Sequence, residues 1–403
     1  MSRNHDNFAD LITFTRASTA TFVGSNGLIQ SATTNTPRID FDPVTNDRKG
    51  FLIEESRTNL LTYSEDFTQY TNARTVDTAN QGTAPDGSNN ATKLSETADT
   101  NNHNIQLDIN FSYTSGDTYT HSAFLKAGTV SVMQLLLPSS AFGSNAFANY
   151  DLTNGVVGTV GSSATASIED FGNGWFRCVL TAAVTSTSTA DGGFIVFTNN
   201  STTAARAASY TGDTASHVFI FGNQLEEGSF PTSYIPTSGA TATRAADKAK
   251  ILTTAFGFNA SEGTLFADAS SLDTGQSFSR IVAINSDTSS NESLSLVVNA
   301  DKFRGFALVG GSATASLVVG DISDNVFFKG AMAYQTDNFS GSVNGGSAVS
   351  ETSAALPDSS ALTTMNIGSS TTGGAAFMLN GHIKKIQYFP RRLSDTQLQE
   401  ITR

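Results

Sequence analysis

A single cysteine, Cys178, in 403 residues excludes an intrachain disulfide framework. It lies in the alternating run WFRCVL, where a small apolar core position is the expected role of a free thiol. Charge is scarce as well. Only 15% of residues are charged, Lys and Arg number 23 against 36 Asp and Glu, and the net charge is −13. No basic cluster is present, which argues against a nucleic-acid partner, because phosphate contacts need a basic surface. The longest apolar run, around Met133–Pro138, is far too short to span a bilayer, so no membrane insertion is expected. The polar start MSRNHDNFAD has no apolar core of the kind a signal peptide carries. Folding in a reducing cytoplasm is therefore expected.

The signatures of common chemistry are missing too. No lysine is followed by Ser or Thr, as a phosphate-binding loop requires, and no GxSxG nucleophile elbow occurs. The histidines show neither HExxH spacing nor a Cys/His metal pattern. No metal, no cofactor and no enzymatic activity are expected. Glycoside hydrolysis is the one enzyme class worth weighing, because it needs only two carboxylates about 5–10 Å apart. The acidic pairs Glu54-Glu55, Glu65-Asp66, Glu169-Asp170 and Glu226-Glu227 are adjacent in sequence. Neighbours on a strand point to opposite faces, so none is a dyad by itself, although pairing across strands stays open.

What the chain has in abundance is turn and strand chemistry. Ser and Thr make up about a quarter of it, with 34 Gly and 28 Phe. Short β-branched and aromatic runs alternate with turns such as Asn154-Gly155, Asn173-Gly174 and Asn344-Gly345-Gly346. The fold class read from this is all-β: two tandem antiparallel β-sandwiches (jelly rolls) with an N-terminal extended arm and hairpin and a short C-terminal helix. The expected divisions are an arm and β-hairpin at 1–57, a jelly roll at 58–238, a linker at 239–247 and a second sandwich at 248–403. In the arm, PRIDFDP and KGFLIEE flank the turn VTNDR as a hairpin too small to stand alone. The run Val218-Phe219-Ile220-Phe221 suits a strand buried on both faces. Ser394 with Gln397 three residues later forms a capping box that opens the helix.

Two sets of candidate residues follow. For stacking on a sugar, Trp175 is the only tryptophan, and Tyr150, Tyr210 and Tyr334 are alternative rings expected to be exposed. Packing is the competing role of Trp175, which starts a strand of core character. The second set is an interdomain junction: Glu54, Glu55, Arg57, Glu226, Glu227 and Arg244. The segment TSGATATRAAD echoes FTRASTATF in its TRA and TAT elements, which suggests that both dock across neighbouring sandwiches. The acidic turns at 42–47 and 321–325 have oxygen ligands suited to Ca²⁺, but ordinary turn chemistry explains them equally.

The stretches FTRASTATFV, PRIDFDPVTNDRKGFLIEESRTNLLTYSEDF and QLEEGSFPTSYIPTSGATATRAAD resemble segments of structural proteins of tailed bacteriophages, of the tail-fibre or virion type. The layout from NLLTYSEDF through GNGWFRC to QLEEGSFPTSYI is similar to carbohydrate-binding-module jelly rolls. The stretches SVNGG, MNIGSS and NGHIKKIQYFPRRLSDTQL resemble a concanavalin A-like or laminin-G-like lectin domain. The resemblance implies a non-enzymatic virion component (fibre, tail tip or capsid surface), assembled in the host cytoplasm and binding host-surface polysaccharide. Its implied partners are other virion proteins and copies of itself, a homotrimer first, with the arm at an interface. Two other functions stay open: a purely architectural decoration or tail protein, and a polysaccharide depolymerase.

Overall fold

The structure is a computed structural model that describes residues 11–371 and 377–403; the first ten residues of the expected arm lie outside the described residues. It is all-β, and every strand pairing is antiparallel. Two sandwiches account for most of it.

The first sandwich has two six-stranded sheets. One runs in the order Ala164–Asp170, Trp175–Ala183, Thr118–Ala127, His217–Glu227, Ala91–Glu96, Thr75–Gly82. The other runs Val156–Val160, Phe147–Asp151, Val132–Leu136, Phe194–Phe197, Asn104–Gln106, Thr71–Ala73. Their inner faces bury Leu94, Leu125, Leu135, Tyr150, Cys178, Leu180 and Ile220. His217–Glu227 is a central strand and is covered on both sides. Val218, Ile220 and Leu225 enter the inter-sheet core, whereas Phe221 packs outward with Phe124, Trp175 and Tyr234. The opening segment runs beside it: the Leu60 amide donates to the Leu225 carbonyl at 2.8 Å, and Tyr63 bridges Ser238.

The second sandwich has two seven-stranded sheets, and the N-terminal segment supplies strands to both. Thr13–Thr15 is the edge of one sheet, paired with Lys248–Leu252. The hairpin Ile39–Phe41 and Arg48–Ile53 is the edge of the other, where Phe51 stands opposite Ile383 and Ile53 opposite Gly381. Phe51 and Ile53 are fully inside the core of this sandwich, among Leu265, Ile281, Leu296 and Met332. A lone hairpin is marginal in water, and here its apolar face and one backbone edge are both satisfied by the C-terminal sheet.

Between these strands the chain makes a second hairpin, Ala20–Val23 with Ile29–Ala32, around the Ser25-Asn26-Gly27 turn. Its Val23 and Ile29 lie against the outer face of the first sandwich, on Phe124, Phe171 and Trp175. Residues 11–57 thus clamp both sandwiches. The expected linker 239–247 contains the strand Ala242–Arg244, which pairs with Arg57–Asn59. At the far end, Ser394 caps the helix Asp395–Ile401 and Gln397 completes the capping box. Leu393 and Leu398 anchor that helix on Phe266, Ala331 and Ala333.

Candidate functional site

The clamp closes on a buried charge cluster. Asp247, at the end of the seam, receives Nη1 of Arg16 on Oδ1 at 3.1 Å and Nη2 of Arg38 on Oδ2 at 2.5 Å. Its Oδ2 also accepts the backbone amide of Glu54 at 3.0 Å. The Glu54 carboxylate lies 2.8 Å from Arg38 and accepts both the amide and the hydroxyl of Ser233 at 2.7 Å. The charged side chains Arg16, Arg38, Glu54, Arg244 and Asp247 are at most 1% exposed. Although burial alone would raise it, two guanidiniums and two Ser233 donors hold the Glu54 carboxyl well below the usual carboxylate range. Arg244 comes within 3.5 Å of Glu54 through Nε without the alignment of a hydrogen bond. Burial pushes its guanidinium down, and the nearby Arg38 acts in the same direction.

Glu226 is equally buried and grips the residue next to Ser233: its oxygens accept the Thr232 amide at 3.1 Å and hydroxyl at 2.5 Å. Glu54 and Glu226 therefore hold consecutive residues of the seam. Glu227 faces away from Glu226 as strand alternation requires, and Glu55, beyond the end of the strand Arg48–Ile53, is likewise less buried than Glu54. Glu55 pairs with Arg57 at 2.6 Å and exchanges hydrogen bonds with Asn380. Arg57 lies over Phe230, 4.9 Å from the ring centre, and donates to the carbonyl of Glu227. Glu227 thus enters through its backbone. The six expected junction residues come together as two layers, a buried one (Glu54, Glu226, Arg244) and a surface one (Glu55, Arg57, Glu227). Sequence reasoning missed Arg16, Arg38 and Asp247. A signal for Arg16 was present: it is the arginine of the first TRA element, and Arg244 is that of the second.

Next to this cluster is a cavity of about 380 Å³ where the clamp, the seam and both sandwiches meet. Phe22, Phe124, Phe171, Phe230, Tyr234 and Phe327 contribute rings to its wall. Its polar lining includes the pair Asp40–His382 at 2.8 Å and the half-exposed pair Lys49–Glu169 at 3.4 Å. Arg177 lines it as well.

The sugar-stacking candidates lie elsewhere. Trp175 is core, 2% exposed, and its Nε1 donates to the Thr83 carbonyl at 3.0 Å. The expectation of open rings at Tyr150 and Tyr334 is corrected: both are fully buried. Each hydroxyl finds a backbone carbonyl, Val179 at 2.5 Å and Asn259 at 2.7 Å, so each tyrosine tolerates the interior. Tyr210 is half-buried, packed at a tilt against His103 and hydrogen-bonded to Glu96. Cys178 is buried, and burial pushes its thiol up, away from the reactive thiolate. Asp42 caps its own turn through the amides of Val44 and Thr45. Among the described residues, no group of three or more His, Cys, Asp or Glu side chains is placed to hold a metal ion.

No protein-family model matches the chain, and no curated protein does. Among solved structures, the chain is similar to the native heptameric SAP-like pentraxin from Limulus polyphemus, at 15% identity over 36% of this chain and 70% of that one, with a TM-score of 0.30. It is also similar to the full extracellular region of zebrafish Gpr126/Adgrg6, at 9% identity over 82% of this chain and 37% of that one, with a TM-score of 0.25.

Proposed function

We propose that this chain is a non-enzymatic structural component of a tailed-phage virion that presents its paired sandwiches to host-surface glycans. One observation carries the reading. The three stretches that resemble phage structural proteins are the three that build the buried junction. FTRASTATFV supplies Arg16 and Thr21, the PRIDFDP stretch supplies Arg38 and Glu54, and the seam supplies Glu226, Ser233, Arg244 and Asp247. Their shared chemistry is therefore a device for locking sandwiches at a fixed angle, which suits a load-bearing particle component. Glycan binding is supported by the aromatic and polar cavity at the same junction. The candidate carboxylates Glu54 and Glu226 are occupied as structural acceptors, which favours binding over hydrolysis.

In this reading the chain acts as a symmetric homo-oligomer, a trimer first, inside a virion assembled in the host cytoplasm. Because the clamp spends its apolar faces within one chain, the contacts between copies fall on other surfaces. Many weak sites in such an array supply avidity that one site lacks. An array of bacterial surface polysaccharides probed with the purified chain tests the proposal. Retained binding without release of oligosaccharide supports it. A blank array favours a purely architectural role, and release of oligosaccharide favours a depolymerase.

A further inference from the structure

We infer that the junction cavity is a binding site for a saccharide bearing a carboxylate, with Arg177 as the group that recognises the acid. The inference deepens the glycan-binding reading and rests on it.

Arg177 is on the strand Trp175–Ala183, on the outer face of the first sandwich, and is 6% exposed. Its cross-strand neighbours are Phe124 on one side and Glu169 on the other. Facing pairs on a sheet share a side, so Glu169 is the natural counterion. Glu169 instead forms its ion pair with Lys49, which reaches over from the clamp. The other two lining carboxylates are also engaged: Glu54 by Arg38, and Asp40 by His382. Among the described residues, Arg177 forms no ion pair. Its one side-chain hydrogen bond runs from Nη2 to the Ser122 hydroxyl at 3.1 Å, and Nε is buried without a partner.

A desolvated guanidinium without a direct ion pair is an expensive group to keep, and it is the best side chain for two-point recognition of a carboxylate. Burial pushes its pKa down, and the buried Glu226 first, then Glu169 and Glu54, oppose that shift from beyond ion-pair distance. The guanidinium lies over Phe124, 5.6 Å from the ring centre, and Phe171 and Tyr234 crowd the same ring. The cavity thus joins one unsatisfied cation to aromatic walls, and its volume of about 380 Å³ falls within the range of small-ligand sites. An acidic monosaccharide unit matches both features: a carboxylate for Arg177 and a C–H face for the rings. The net charge of −13 repels anions at long range, so recognition depends on this local cation and is expected to be weak for a monosaccharide.

The test is titration of the intact chain, by calorimetry and ligand-observed NMR, with methyl β-D-glucuronide, methyl β-D-glucoside, acetate and inorganic phosphate. The glucuronide is expected to bind about ten-fold or more tightly than the glucoside, the worth of one charge-assisted hydrogen bond. Arg177→Gln should remove that preference. Ser167→Trp, at an exposed position on the cavity wall, should block binding of the glucuronide without touching the core. If Arg177→Gln fails to fold, Ser167→Trp carries the test alone. Acetate or phosphate binding as tightly as the glucuronide, or glucuronide binding unaffected by Ser167→Trp, overturns the inference. Absence of glucuronide binding in a chain that still captures a neutral glycan overturns the inference alone. Absence of binding to every saccharide removes the glycan reading with it.

Discussion

Asp247 and Arg38 meet at 2.5 Å across a separation of 209 residues, in a site where neither side chain touches solvent. The contact ties the N-terminal clamp to the end of the seam, and Arg16 completes it from the other carboxylate oxygen. Asp247→Asn keeps the shape but removes the charge that both arginines share. Breaking a buried pair from one side costs about 3–5 kcal/mol, because the remaining charge is stranded. Arg244→Met should cost clearly less. Its guanidinium makes no aligned hydrogen bond, and Glu54 keeps Arg38 and Ser233 when it is gone. Urea unfolding of the two variants checks the order. A larger loss for Arg244→Met would show that the weight of the network lies on Glu54 and not on Asp247.

Gly50 sets how closely the clamp approaches the C-terminal sandwich. Its φ is +115°, and a methyl group there would stand 2.5 Å from the carbonyl oxygen of Ile383. The obstacle is backbone in the neighbouring strand, so it cannot swing aside. Gly50→Ala should therefore strain both its own conformation and the Phe51–Ile383 pairing, at about 2–4 kcal/mol. The expected sign is faster cleavage of residues 11–53 in limited proteolysis while the first sandwich stays protected. Unchanged cleavage would mean that the hairpin adjusts its register.

The parts of this fold that sequence made legible are those governed by local chemistry. The Ser394–Gln397 capping box, the turn at 25–27 and the doubly buried run Val218–Phe221 each have a signature within a few residues. The junction was half legible for the same reason. Adjacent acids such as Glu54-Glu55 and Glu226-Glu227 stand out, and in each pair the first is buried and the second is more exposed. Arg38 and Asp247 are single charges in unremarkable surroundings, Arg16 is marked only by its TRA element, and long-range packing is what buries all three. Tyr150 and Tyr334 show the converse. Their exposure was expected from ring chemistry, but burial depended on a carbonyl contributed by a distant residue.

The C-terminal sandwich is also predicted to depend on the clamp. Residues 248–403 expressed alone lack Phe51 and Ile53, which are 2% and 0% exposed in its core, and leave the edge of Gly381–Phe389 unpaired. An exposed apolar edge invites aggregation. The fragment should be recovered mostly insoluble, and joining residues 11–57 to it through a flexible linker should restore a cooperative thermal transition. A fragment that folds and stays monomeric by itself would show that the edge hairpin is an accessory to this core.

His121 gives the protein a specific pH dependence. The ring is fully buried, and its Nε2 lies 2.7 Å from Oδ1 of Asn223, so Nε2 carries the hydrogen. Nδ1 faces no partner, and protonating it would strand a buried charge. Desolvation accordingly pushes the pKa from 6.5 down to about 4. The unfolded chain takes up a proton near pH 6.5, whereas the native chain resists until about pH 4, so this residue destabilises the fold as pH falls through that window. The integrated loss is about 3 kcal/mol, at roughly 1.4 kcal/mol per pKa unit. His121→Gln, which can still donate to Asn223, should lose that slope. Urea midpoints measured for both proteins at intervals between pH 7.5 and 4 isolate the effect as their difference. Parallel curves would mean that the native ring accepts a proton as readily as the unfolded one, in which case water must reach Nδ1.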